Sequence, residues 1–191
     1  MGQPPGSMDE RIDGLSAGLP IATPQGWRAA GQVRAGDAVW CLDAPPQPVV
    51  GVRRHLMRAP QAVLVPAMAL GNPNPVVLLP DQPVALDLNQ AAELYGDPVA
   101  LIPARALVGW RGIRRCRARA GVVVRLRFAR RQVIYAGPGL LLACGVEAGH
   151  DLRPEGPPAP PLTAGQARHL MACVMAEEIG AALRPGAQAA F

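Results

Sequence analysis

Residues 14–40, GLSAGLPIATPQGWRAAGQVRAGDAVW, decide how this chain folds. The apolar run Leu19-Pro20-Ile21-Ala22 stops at Thr23-Pro24-Gln25-Gly26. A second run leads through Val33 to Gly36-Asp37, where Ala38-Val39-Trp40 begins. Pro presets φ and Gly accepts positive φ without steric cost, so both junctions are turn formers. The spacing predicts short strands around 19–22, 30–33, 37–42 and 48–54.

Composition supports the same picture. With 191 residues, half of them hydrophobic, the chain is long enough for one domain with a real core. Its 22 Pro and 21 Gly favour many turns over long helices, and only 4% of residues are aromatic, leaving the core to aliphatic side chains. All 19 basic residues are Arg. Without Lys the chain has neither a Schiff-base amine nor the phosphate-binding Lys of a P-loop. Cys41, Cys116, Cys144 and Cys173 are widely spaced, with no Cys-x-x-Cys and no His at ligand spacing. They predict buried free thiols rather than a metal site or a disulfide framework, and no cofactor is implied. The N-terminal MGQPPGSMDERIDG lacks the apolar segment of a signal peptide, and no apolar run approaches the ~18 residues of a membrane span. The expected location is cytoplasmic by default.

Four ordered blocks carry a resemblance. Gly-x-x-Ile-Ala-Thr-Pro-x-Gly followed by Arg-x-Gly-Asp-x-Val resembles the opening of Hint (Hedgehog/intein) domains, especially the bacterial type. Leu79-Pro80-Asp81-Gln82, between apolar runs, stands where the family carries a Thr/Ser-x-x-His motif. Pro103-Ala104-Arg105-Ala106-Leu107 is similar to the family's Pro-Ala-Arg-x-Leu, and residues 128–136, FARRQVIYA, to its Phe-Asp-Arg-His-x-Val-Val-Tyr-Ala. The resemblance covers roughly residues 14–145. It implies a mostly β, twisted horseshoe of strands, followed here by a C-terminal helix.

The same residues argue against the family's chemistry. Hint autoprocessing starts when a Cys or Ser side chain attacks the carbonyl before it. The step needs that nucleophile, an acid to protonate the departing amine, and donors to the oxyanion. The matching positions hold Gly14 for the nucleophile, Leu79 and Gln82 for the hydroxyl residue and His, and Arg131 for the third block's His. These four positions are expected to converge on one cleft, and no catalytic residue is assigned. Ser16 and Asp81 are nearby stand-ins, but a two-residue shift moves an attacking atom by ~7 Å, so Ser16 is expected to be a turn residue, and Asp81, beside the lost His, a turn former after Pro80. His55, His150 and His169 are dispersed and fall in none of the blocks. The implied role is a binding or scaffold module that no longer cleaves itself. The alternatives are an autoprocessing domain with a displaced nucleophile, or an anion- or nucleic-acid-binding module.

That last alternative rests on arginine. Residues 98–146 contain no Asp or Glu and ten Arg. Arg115, Arg117 and Arg119 alternate, as do Arg125 and Arg127, which places each set on one face of a strand. A three-residue loop at Ala120-Gly121-Val122 would oppose Arg117 with Arg125 and Arg115 with Arg127, giving a continuous basic face. The implied partner is another protein, with an anionic ligand second. Nucleic acid is disfavoured because no stacking aromatics interleave with the arginines.

The expected layout is an arm over 1–13, the β domain over 14–150, a Pro-rich linker over 151–161, a helix over 162–184 and a tail over 185–191. Thr163 and Gln166 form a capping-box pattern at the helix start. Met171, Val174, Met175, Ile179 and Ala182 give the helix an apolar stripe that is expected to dock on the β body.

Overall fold

Two extended stretches pair antiparallel in one register, 51–57 with 121–127 and 61–64 with 114–117, and together make one bent ribbon. The computed structural model describes residues 12–58, 60–145 and 160–183. In chain order the first strands are β1 (Leu15–Ser16), β2 (Pro20–Thr23), β3 (Gly26–Ala29), β4 (Ala38–Val39) and β5 (Gln47–Pro48). The ribbon's first half is β6 (Gly51–Met57) and β7 (Gln61–Val65). β8 (Val76–Leu78), β9 (Pro83–Asp87), helix α1 (Asn89–Tyr95) and β10 (Val99–Pro103) follow. The ribbon's return is β11 (Arg114–Arg117) and β12 (Gly121–Arg127), and β13 (Gln132–Tyr135), β14 (Leu141–Cys144) and helix α2 (Ala164–Ala182) complete the chain. The fold is mostly β with one long C-terminal helix.

The strands form sheets ordered β1-β12-β6, β10-β9-β14-β13 and β11-β7-β8, with the hairpins β2-β3 and β4-β5 beside them. Thr23 closes the first hairpin: its hydroxyl donates to the Gly26 carbonyl at 2.7 Å and accepts from the Gln25 N–H at 3.3 Å. Gly26 sits at φ +104°, the backbone region that favours glycine. At Gly36-Asp37 the Asp37 carboxylate accepts from the Arg34 N–H and from the Arg28 guanidinium, both at 2.8 Å. The expected strand at 30–33 is instead a 3-10 turn, Ala30–Gln32. Its N–H groups bond to the Leu19 and Ala17 carbonyls, and a Cβ on Gly31 would sit only 3.1 Å from that of Ala17. Two small residues let the chain turn there.

The arginine hairpin does not exist. Arg117 faces Gln61 and Arg115 faces Val63 in the β7–β11 ladder, whereas Arg125 faces Arg53 and Arg127 faces Gly51 in the β6–β12 ladder. One register runs through both halves. Gly121 faces Met57, and four residues back on one strand and four forward on the other, Arg117 faces Gln61. Between them the Ala118 N–H donates to the Pro60 carbonyl at 3.0 Å. Residues 118–120 are therefore a bend in a long strand, and Arg119 lies in it. The physical reason is charge. The hairpin would have opposed Arg to Arg twice, while the ribbon opposes most arginines to neutral residues. Its one like-charged pair, Arg53 with Arg125, has Asp13 bonded to it, through Arg125 Nε at 2.8 Å.

Helix α2 shares the core of the strands: Ala167, Leu170, Met171 and Val174 are buried in the same cluster as Leu126, Phe128, Ile134 and Leu142. Their spacing is that of one helical face. The capping box forms, with Thr163 Oγ1 accepting from the Gln166 N–H and Gln166 Oε1 accepting from the Thr163 N–H. The apolar stripe is shorter than expected, for Ile179 is 61% exposed. The helix end is held by polar contacts instead. Glu178 accepts from Trp110 Nε1 and pairs with Arg111, each at 2.8 Å, and Glu177 accepts from Gln90. Among the described residues no helix is long and apolar enough to cross a membrane.

Candidate functional site

The turn Leu79-Pro80-Asp81-Gln82 closes with the Gln82 N–H donating to the Leu79 carbonyl at 3.1 Å. Leu79 turns its side chain into the core, 6% exposed. The 3-10 turn Ala104–Leu107 pins the opposite side, with the Ala104 N–H on the Gln82 carbonyl and the Arg105 N–H on the Pro80 carbonyl. Arg105 also pairs with Asp81 at 2.9 Å. The Pro-Ala-Arg-x-Leu block thus positions the Leu79–Gln82 turn.

This turn holds the segment that enters β1. The Ile12 N–H donates to Asp81 Oδ2 at 2.9 Å, and the Asp81 N–H donates to the Ile12 carbonyl at 3.1 Å. Asp81 is more than a turn former. Gln82, 2% exposed, accepts the Gly14 N–H on Oε1 at 3.1 Å. Its Nε2 donates to the Ala143 carbonyl at 2.9 Å and to the Pro83 carbonyl at 3.2 Å. Every polar atom of this side chain is used. On the other side of the same peptide, Arg125 Nε donates to the Asp13 carbonyl at 3.2 Å while pairing with the Asp13 carboxylate. The Asp13–Gly14 peptide is therefore gripped at both ends. Ile12 and Asp13, at the end of the expected arm, are bonded to the body; residues 1–11 lie outside the described residues.

Gly14 fills its place completely. Its φ is +125°, and an added Cβ would come within 2.5 Å of Val123 Cγ1 and 3.3 Å of the Val124 carbonyl oxygen. Val is stiff about χ1, so the neighbour cannot swing away cheaply. Both the backbone angle and the wall of β12 oppose a side chain here.

The structure joins Gly14 to Gln82 through the Gly14 N–H on Gln82 Oε1, and Leu79 to Gln82 through the turn they close. Gln82 reaches the sheet at Ala143, which faces Val133 on β13, and Arg131 lies just before that strand begins. Among the described residues no hydrogen bond or ion pair joins Arg131 to the other three. Of the five arginines expected on one basic face, Arg115 and Arg117 lie on β11, Arg119 in the bend, and Arg125 and Arg127 on β12. Arg125 belongs to the Asp13–Gly14 junction. No alternation in the sequence marks it as such; its partner Asp13 is 112 residues away in the chain.

The nucleophiles fare differently. Ser16 is exposed on β1, opposite Val123. Cys41 and Cys144 are buried, Cys116 and Cys173 only partly so, which corrects the expectation of four buried thiols. Burial pushes the Cys144 thiol up to about 12, with the neighbouring Cys41 and Asp13 adding to the rise and Arg127 opposing it. Cys41 is pushed up to about 11, again by burial, against the lowering effect of the Gln47 N–H. Both are protonated at neutral pH. His55 and His169 are exposed, and His150 lies outside the described residues. Among the described residues no group of three His, Cys, Asp or Glu side chains is placed to hold a metal ion.

A family model for the Hint domain matches residues 14–140. The chain belongs to the Hint-domain family, whose members carry out autoprocessing or splicing. Among solved structures, the bacterial intein-like domain from Clostridium thermocellum superposes with a TM-score of 0.51 at 16% identity, over 69% of this chain and 98% of that one. The zinc-bound splicing domain of the Msm DnaB1 intein gives 0.44 at 20% identity, over 68% of this chain and 98% of its own. Among curated proteins no match is found. The intein-like domain shares the fold described above.

Proposed function

We propose that this chain is a Hint domain that no longer cleaves itself and serves as a binding or scaffold module. The observation that carries the reading is Gly14: the position matching the family's nucleophile has no side chain, and β12 fills the space a side chain would need. Gln82 supports it from the other side. A carboxamide can accept the Gly14 N–H, but it has no titratable proton to give a departing amine. What survives is the grip on the junction, with Arg125 donating to the carbonyl that would be attacked. Donors to an oxyanion without a nucleophile or an acid hold a peptide still and do not break it.

A displaced nucleophile gains little from the geometry. Cys144 is near enough to Asp13 to feel its charge, but a thiol whose pKa is about 12 has almost no thiolate at neutral pH. Ser16 points away from the core. The test is intact-mass measurement of the purified full chain, before and after prolonged incubation with a thiol and with hydroxylamine. A single species of 20.0 kDa throughout is expected. A fragment ending at Asp13 would overturn the reading.

A further inference from the structure

β11 is the outer strand of its sheet, paired to β7 alone. The side of its backbone that faces out follows from one hydrogen bond. Because the Ala118 N–H points at Pro60, Cys116 and Arg114 also direct their N–H and C=O groups at β7, by the two-residue alternation of an antiparallel ladder. Arg115 and Arg117 must then direct theirs away from β7, towards the open edge. Among the described residues no strand pairs there and no backbone hydrogen bond uses those groups. The side chains beside this edge are of one sign. Arg114, Arg115, Arg117 and Arg119 are exposed, and among the described residues none has an ion pair. Neither stretch of the ribbon, 51–65 or 114–127, contains an Asp or Glu.

An edge of charged side chains repels a neutral or basic strand, which is how sheets avoid unwanted pairing. The same charges favour an acidic strand. We propose that the open edge of β11 docks an extended acidic peptide segment by antiparallel strand addition. Its main chain would exchange hydrogen bonds with Arg115 and Arg117, and carboxylates at alternate residues would lie opposite their guanidiniums. Two residues of strand span ~6.8 Å, so a Glu-x-Glu alternation matches Arg115 and Arg117 side by side. A peptide is favoured over nucleic acid on two grounds. Unused strand N–H and C=O groups serve a peptide backbone. Moreover, none of the exposed aromatics Trp27, Trp40, Tyr95 and Tyr135, which could stack bases, lies on β11.

The experiment is fluorescence polarisation of the full chain with a labelled alternating Glu-Val peptide. Two further versions carry N-methyl groups, either on the Glu residues or on the Val residues. In antiparallel addition the Glu N–H groups face β11 and the Val N–H groups face solvent. Methylation at Glu should therefore weaken binding by about tenfold or more, and methylation at Val should leave it within about twofold. Arg115→Gln together with Arg117→Gln should weaken the unmodified peptide by about tenfold without lowering the unfolding midpoint. Failure of the unmodified peptide to bind overturns the proposal, as does any pattern other than selective loss with methylated Glu. So does tighter binding of a duplex DNA with the same number of charges, which would make the surface a phosphate-binding one.

Discussion

The Asp13–Gly14 junction and the β11 edge use the same kinds of group in opposite ways. At the junction the peptide N–H, its carbonyl and the Gln82 carboxamide are all paired and largely shielded from water. At the edge, backbone groups and guanidiniums face solvent without partners among the described residues. A satisfied, buried network has one geometry and is costly to disturb, whereas an open charged edge contributes little to folding and is free to meet something else. The contrast teaches where this fold has committed its polar groups and where it has left them available.

Gln82→Ala should show the largest effect. It leaves the Gly14 N–H and the Ala143 and Pro83 carbonyls without their partner, for a loss on the order of 3 kcal/mol in urea unfolding. A loss below ~1 kcal/mol would mean that water already serves the junction, and the contrast with the edge would fail.

Gly14→Ala comes next, at about 2 kcal/mol, from the positive φ and the contact with Val123. Adding Val123→Ala removes the clashing methyl, so the double variant should lose less than the sum of the two single losses. Strict additivity would show that the strain is in the backbone angle alone. Gly14→Cys should produce no cleaved species by mass spectrometry, since the thiol has neither room nor an acid beside it.

Asp37 tests the turn within the opening stretch. The Arg34 N–H, against the opposing effect of burial and with help from the Arg28 guanidinium, holds its carboxyl below the ordinary value of 3.8. A lowered folded value means the stabilisation is complete above that ordinary value and is lost as pH falls through the folded one. Thermal unfolding from pH 5 down to about 2 should therefore be flatter for Asp37→Asn than for the parent chain. Parallel curves would remove Asp37 from the acid response.

The smallest effect on stability belongs to the edge. Arg115→Gln with Arg117→Gln should leave unfolding within about 0.5 kcal/mol of the parent, as for exposed charges without partners. A large loss would show that the two arginines hold the fold together and that the edge is not free.

Much of this was legible from the chain. Thr23-Pro24-Gln25-Gly26 and Gly36-Asp37 announced their turns because the residues that close them are adjacent. Thr163 and Gln166 announced the helix start for the same reason. Gly96, which ends α1 at φ +76°, was an equally local signal that the expected layout passed over. The arginine register was not legible. Alternation showed which arginines share a face of a strand, but not that the strand's partner would be residues 51–65. Nor does an alternating pattern show exposure: Arg115 sits opposite the buried Val63 and is itself exposed, because an arginine on an outer strand reaches water past the sheet edge.

By itself the sequence determined the class of fold, the turns, the cap of α2 and the absence of a nucleophile at Gly14, because each is written in residues close together in the chain. Only the tertiary structure decided that Arg125 holds the Asp13 carbonyl, that Gln82 bridges Gly14 to Ala143, and that β11 is left with an open edge. Those outcomes depend on which distant strands pair, and pairing is set by the burial and charge of both partners together.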